Sequence, residues 1–98
     1  MFLGLDLGTT NVKALVTDRA WRPLARGACP VRLFHVGQGG IEQDLEEIER
    51  ATVTAVRDAV RSVDASAIQA VGVSSQGGAM QVLDAPRRPL GRVVSWLD

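Results

Sequence analysis

The chain has 98 residues, 46% of them hydrophobic and 22% charged, enough for one small domain with a modest core. Eleven basic and eleven acidic residues cancel, so no long-range field draws it to nucleic acid or to an anionic membrane. No run reaches the roughly eighteen apolar residues of a membrane span, and the short apolar N-terminus, without a basic leader and with Asp6 inside it, is not a signal peptide. The single cysteine, Cys29, cannot form an internal disulfide; it fits a cytoplasmic protein and reads as a small core or strand residue rather than a nucleophile.

Phe2 to Leu7 is almost continuously apolar and reads as a buried strand; Val12 to Thr17 is its partner in a β-hairpin. The tip between them holds Asp6, Gly8, Thr9, Thr10 and Asn11, with Lys13 just beyond. Gly8 lets the backbone turn sharply and approach a ligand closely. Thr9, Thr10 and Asn11 offer N–H and side-chain donors to anionic oxygens, and Lys13 adds a compact positive charge. A carboxylate at a strand end, such as Asp6, is costly unless paired or holding a cation, and magnesium is satisfied by one or two carboxylates plus waters. The tip therefore suits a polyphosphate and its metal. An ordinary hairpin with a polar turn has the same composition, so both readings stand on spacing alone.

Asp18 to Pro23 is a turn that brings in Trp21, and Leu24 to Phe34 reads as a third strand, bent near Pro30. His35 to Gly40 reads as a loop, with His35 a loop residue rather than a catalytic base because no acid partners it. Asp44 caps a helix, with Glu47 three residues on in a capping-box arrangement. Leu45, Ile48, Thr52, Ala55, Val56, Ala59 and Val63 form its apolar stripe, with acids early and arginines late to complement the dipole. Asp64 to Ala67 links to a strand at Ile68 to Val73. A polar turn from Ser74 to Gly78, a strand from Ala79 to Leu83, a turn from Asp84 to Pro89 and a last strand from Leu90 to Trp96 complete the chain. The expected class is α/β: a mixed sheet with a three-strand antiparallel meander, one main helix covering a face, and a later strand joining in parallel by a right-handed crossover.

Asp-Leu-Gly-Thr-Thr followed by an apolar strand resembles the first phosphate motif of the actin-like ATPase superfamily, which includes sugar kinases, heat-shock chaperones and actin. Three further stretches, at 39–48 (Gly-Gly-Ile-Glu-Gln-Asp-Leu-Glu-Glu-Ile), 68–78 (Ile-Gln-Ala-Val-Gly-Val-Ser-Ser-Gln-Gly-Gly) and 89–98 (Pro-Leu-Gly-Arg-Val-Val-Ser-Trp-Leu-Asp), resemble in order and spacing the N-terminal domain of the FGGY carbohydrate kinases. The resemblance covers nearly the whole chain. It implies a partial ribonuclease-H-like, actin-like ATPase domain, with 1–98 the N-terminal part of the kinase N-terminal domain and the second domain absent.

It implies ATP and Mg2+ as cofactors and a sugar or polyol as substrate. Asp6 would organise the metal, and Gly8, Thr9, Thr10 and Lys13 would face the phosphates. Gln76, Gly77, Gly78 and Trp96 are the candidates near the sugar. Two departures bear on that pocket. Leu45 stands where the family usually has proline, a harmless change in a first helical turn. After Ser74-Ser75-Gln76 the chain has Gly77-Gly78-Ala79, where xylulose kinases usually show Met-His-Gly and glycerol kinases Arg-Glu. Gly77 and Gly78 then either open a roomier pocket or simply form a hairpin turn. Trp96 either stacks on the sugar or closes a strand end. Asp98 matches the last position of a Trp-x-Asp stretch.

Family members are several times longer, and the aspartate that serves as their general base lies well beyond residue 98, so no catalytic residue is nominated. Phosphoryl transfer needs a positioned γ-phosphate, a metal and an orienting group for the attacking hydroxyl. The chain alone is therefore expected to be inactive and to need the C-terminal kinase portion or a complementary chain. A non-catalytic nucleotide- or sugar-binding remnant and a structural half of a split kinase are the alternatives. Exposed strand edges would favour a homo-oligomer.

Overall fold

In the computed structural model, which describes residues 1–97, the elements run β1 (Phe2–Leu7), β2 (Asn11–Thr17), β3 (Pro23–Pro30), β4 (Phe34–Val36), β5 (Gly40–Gln43), α1 (Leu45–Val60), a short 3-10 helix (Ala65–Ala67), β6 (Ala70–Ser75), β7 (Met80–Leu83) and β8 (Pro89–Val94). β1, β2 and β3 form the expected antiparallel meander. β6 returns after α1 and pairs in parallel with the other side of β1, giving the order β3-β2-β1-β6. Parallel neighbours need a crossover element, and α1 supplies it.

The remaining strands do not extend that sheet. They make a second one in the order β4-β5-β8-β7. The expected third strand from Leu24 to Phe34 is divided: β3 stops at Pro30, which has no N–H to continue the ladder, and Phe34 already belongs to β4. The expected loop at His35 to Gly40 is instead a hairpin, with His35 opposite Ile41 and the turn carried by Gly37 and Gly39 at φ 56° and 85°. The turn from Ser74 to Gly78 closes no hairpin; it carries the chain from the first sheet to the second.

Asp44 caps α1 as expected, accepting from the Glu46 N–H at 3.0 Å. The capping-box partner does not reach back. The Glu47 carboxylate takes the backbone N–H and the guanidinium of Arg32 instead. The buried face of α1 is a column of alanines, Ala51, Ala55 and Ala59, with Ile48, Val56, Val60 and Val63 packed beside it. They lie on Leu3, Val12, Ala14, Val16 and Val31. Small residues bring the helix close: a Cβ at Gly27 on β3 would fall on the Ala55 carbonyl. The helix rests on β2 and β3 and meets β1 and β8 only at its margins. Cys29 is half-buried on β3 beside this core, in keeping with a packing role.

The turn from Asp18 to Pro23 is built by Asp18. Its carboxylate accepts the Ala20 and Arg22 N–H groups at 2.8 and 3.0 Å, and the Arg22 guanidinium as well. The Arg22 backbone N–H, more than the partial burial that opposes it, holds this carboxyl below its ordinary value. Trp21, in the left-handed region at φ 64°, stacks on Phe2 with ring centroids 5.1 Å apart.

Candidate functional site

Strand alternation puts Leu3, Leu5 and Leu7 toward α1, while Gly4 and Asp6 point to the opposite face. Register completes that opposite face near the tip: Asp6 lies directly across from Lys13 on β2 and from Ser74 on β6. Ser74 donates its hydroxyl to Asp6 Oδ1 at 3.0 Å. One carboxylate oxygen of this exposed group is thus engaged by a neutral donor. A trough of about 820 Å³ runs down the same face, floored by Gly4, Gly72 and Ala28 and rimmed by Asp6, Lys13 and Arg26.

The tip is a tight turn from Gly8 to Asn11, closed by the Gly8 N–H on the Asn11 carbonyl at 2.9 Å. Glycine is required at position 8 by contact rather than by an unusual φ: a Cβ there would stand 2.7 Å from the Asn11 oxygen. Among the described residues, no backbone carbonyl takes the Thr9 or Thr10 N–H. The two threonines then part company. Thr10 is exposed, its hydroxyl accepting from the Asn11 amide at 3.3 Å. The Thr9 hydroxyl is turned away from that open side. It accepts the Trp96 indole N–H at 3.0 Å and points its proton at Gln76 Oε1, 3.5 Å away.

Gln76 follows β6, its backbone N–H held by the Leu7 carbonyl at 3.3 Å. Its Nε2 donates to Gln43 Oε1 at 2.7 Å, and Gln43 Nε2 donates to the Thr9 carbonyl at 2.8 Å. Thr9, Gln43 and Gln76 therefore close a ring of hydrogen bonds, one of them to the Thr9 backbone carbonyl, with Trp96 attached through the Thr9 hydroxyl. The ring ties the end of the first sheet to the start of α1 and to the end of the second sheet. Gln43 is 0% exposed and makes both of its contacts inside the protein. Gln43 lies inside the 39–48 stretch, but nothing local in the sequence marks a glutamine that will be buried.

The Gly77–Gly78 segment is a turn; Gly78 is in the left-handed region at φ 79°, which favours glycine, and lies against the Trp96 Cβ. Gly77 faces open space. Trp96 follows β8 and is 54% exposed, with only its N–H committed. Trp96 is thus not buried in a core; about half of its surface stays open, beside the Gly77–Gly78 turn. Asp98 lies outside the described residues. Among the described residues no cluster of three or more histidines, cysteines or acids forms a metal cage, and no helix is long and apolar enough to cross a membrane.

Comparison with known proteins gives a consistent answer. The profile of the FGGY family of carbohydrate kinases, N-terminal domain, matches residues 1–98. An apulose kinase from Pectobacterium atrosepticum is 32% identical over all of this chain and 20% of its own length. A glycerol kinase from Bordetella pertussis is 34% identical over 98% of the chain, again 20% of its own length. The crystal structure of a xyloylose kinase from Brucella ovis superposes with a TM-score of 0.94 at 34% identity, covering 99% of this chain and 21% of that one. The chain thus spans about a fifth of the length of the relatives it matches.

Proposed function

Because the chain belongs to the FGGY family of carbohydrate kinases, its fold a partial actin-like ATPase domain, we propose that it serves in ATP-dependent phosphorylation of a sugar or polyol hydroxyl. It does so as the phosphate-hairpin and sugar-pocket segment of a kinase of family length. The observation that carries this reading is the hydrogen-bond ring. It fixes the hairpin tip beside Gln76 and Trp96, so that a phosphate at the tip and an alcohol beside the indole would be neighbours. Positioning of that kind is most of what phosphoryl transfer asks of a protein.

In this reading the Thr9 and Thr10 N–H groups, the Thr10 hydroxyl and Lys13 receive phosphate oxygens, while Thr9's own hydroxyl holds the tip in place. Asp6 is the carboxylate for Mg2+. A lone acid, half engaged by Ser74 and without a cage of others around it, fits a cation that keeps its waters and takes its remaining ligands from phosphate. Mg2+ bound there would offset the charge on the phosphoryl oxygens. The exposed part of the Trp96 indole would stack on the apolar face of a sugar ring, and the Gly77–Gly78 turn leaves room beside it.

Titration of Mg·ATP into isotope-labelled chain tests the phosphate side. Backbone amides of residues 8–11 should shift, Asp6→Asn should remove the Mg2+ dependence, and no ADP should form with pentoses, hexoses or polyols present. Silence at residues 8–11, or turnover by the chain alone, would overturn the proposal. In a kinase of family length carrying this segment, Asp6→Asn should lower kcat by roughly a hundredfold or more. A non-catalytic remnant would show the binding and no such activity at any length.

A further inference from the structure

A buried amide side chain must satisfy both a donor and an acceptor, and Gln43 does so across long sequence distance. Its Nε2 donates to the Thr9 carbonyl on the hairpin tip, and its Oε1 accepts from Gln76 beyond β6. The polarity runs one way around the ring. Gln43 donates to Thr9, the Thr9 hydroxyl donates to Gln76, and Gln76 donates back to Gln43, with Trp96 donating into the Thr9 hydroxyl. Turning the Gln43 amide over would set its oxygen against the Thr9 carbonyl and its NH2 against that of Gln76. Only one orientation satisfies every member, and aligned bonds of this kind reinforce each other in a dry environment.

We infer that Gln43 is a positioning residue that locks the hairpin tip, Gln76 and the Trp96 indole into one unit, so that an anion bound at the tip is felt at Trp96. The coupling rests on the phosphate reading above; the lock itself does not. Gln43 touches neither proposed ligand. It acts by denying Thr9 and Gln76 any other arrangement.

The test uses the 98-residue chain and the Trp96 indole N–H resonance, which a merely space-filling residue at position 43 would not control. In the unmodified chain, the Gln43 side-chain amide protons should exchange with water roughly tenfold or more slowly than those of Gln38 and Gln69, both exposed. Gln43→Met keeps the volume and removes both contacts. It should shift the indole resonance and speed its exchange by about tenfold. Gln43→Glu keeps the shape, but an ionised carboxylate has no proton for the Thr9 carbonyl, so the indole should move there too. Acidification restores that proton and should return the indole toward its original position. Glu42 and Asp44 flank position 43 and Glu47 lies on the first turn of α1, so the unmodified chain over the same pH range is the reference.

An indole that ignores both substitutions, or a Glu variant that does not recover on acidification, would overturn the lock. Should Gln43→Met fail to fold, the slow Gln43 exchange and the Glu variant still decide the matter. Mg·ATP should shift the indole in the unmodified chain and not in Gln43→Met. Shifts at Thr10 without any at Trp96 would overturn the coupling and leave the phosphate site standing. Silence at both, with the lock intact, would strike the phosphate reading instead.

Discussion

Leu3 on β1 and Val71 on β6 are register partners on adjacent strands and point to the same face of one sheet, yet Leu3 is 7% exposed and Val71 55%. One step along, the same contrast separates Leu5, which packs against the core, from Val73, which is 62% exposed. The cause is the reach of α1, which covers β2 and β3 and ends at β1. Beyond that line Val71 and Val73 of β6 are open to solvent, and Met80, Val82, Leu83 and Leu90 of the second sheet are open as well. The accessible surface, 6393 Å², exceeds the ~5,400 Å² expected for a folded monomer of this mass. The radius of gyration, 15.2 Å, likewise exceeds the ~13 Å of a compact chain this long. An apolar strand pattern therefore records that a residue is meant for burial, and says nothing of whether the same segment supplies the cover.

Two glycines break the comparison most sharply. Gly27→Ala drives a methyl into the backbone carbonyl of Ala55, which cannot swing aside, and should cost about 3 kcal/mol in urea unfolding. Gly72→Ala, on β6 with nothing within 4 Å of the new atom, should stay within about 0.5 kcal/mol of the parent. Equal losses would mean that β6 is packed in solution as tightly as β3. A valine pair asks the same at smaller scale. Val16→Ala, at a fully buried position, should cost about 2 kcal/mol, and Val73→Ala no more than about 0.5.

The division between the two regions also marks what could be read in advance. The β1–β2 hairpin, the meander, the Asp44 cap and the parallel return of β6 follow from local pattern and from crossover geometry, and each is present. The second sheet was not legible. Its joining pairs, Glu42 with Val94 and Gln43 with Val93, lie some fifty residues apart and leave no mark in either strand alone. The β4–β5 hairpin did leave one, Phe-His-Val and Ile-Glu-Gln on either side of glycines, but three residues of strand are too few to outweigh a glycine-rich loop. At the site, Asp6, Gly8, Thr10 and Lys13 stand at the tip where the spacing put them, whereas the Thr9 hydroxyl faces inward. That turn depends on Trp96 and Gln76, each at least sixty-seven residues away in sequence.

The open residues on β6 to β8 have a colloidal consequence as well. Exposed valines and leucines on short strands at the edges of both sheets favour self-association. Sedimentation of the isolated chain should show mass increasing with concentration. A Val73→Lys, Val82→Lys double variant should remain monomeric at an unchanged melting temperature. A structural half that folds against a complementary chain is a second reading of the same residues. It predicts that such a partner suppresses association as the lysines do and that Mg·ATP leaves residues 8–11 unmoved.

The smallest effect belongs to the helix-covered region, where Glu47 ties α1 to the segment between β3 and β4. The Arg32 backbone N–H first, and its guanidinium second, hold the Glu47 carboxyl below its ordinary value of 4.5. A carboxyl whose folded pKa is depressed stabilises the fold above its unfolded pKa and loses that contribution as pH falls through the folded one. The parent should therefore weaken on acidification below about pH 4.5, with Asp18 and Asp64 contributing in the same direction from their own lowered positions. Glu47→Gln keeps an acceptor for the Arg32 N–H but has no proton to gain, so its melting temperature should fall less steeply over that interval. The Arg32 side chain is largely exposed although the Glu47 side chain is mostly covered, so the difference should be modest and shrink further in high salt. The same acid limb in parent and variant would mean that Glu47 is free in solution, and that α1 is held over β2 and β3 by its apolar face alone.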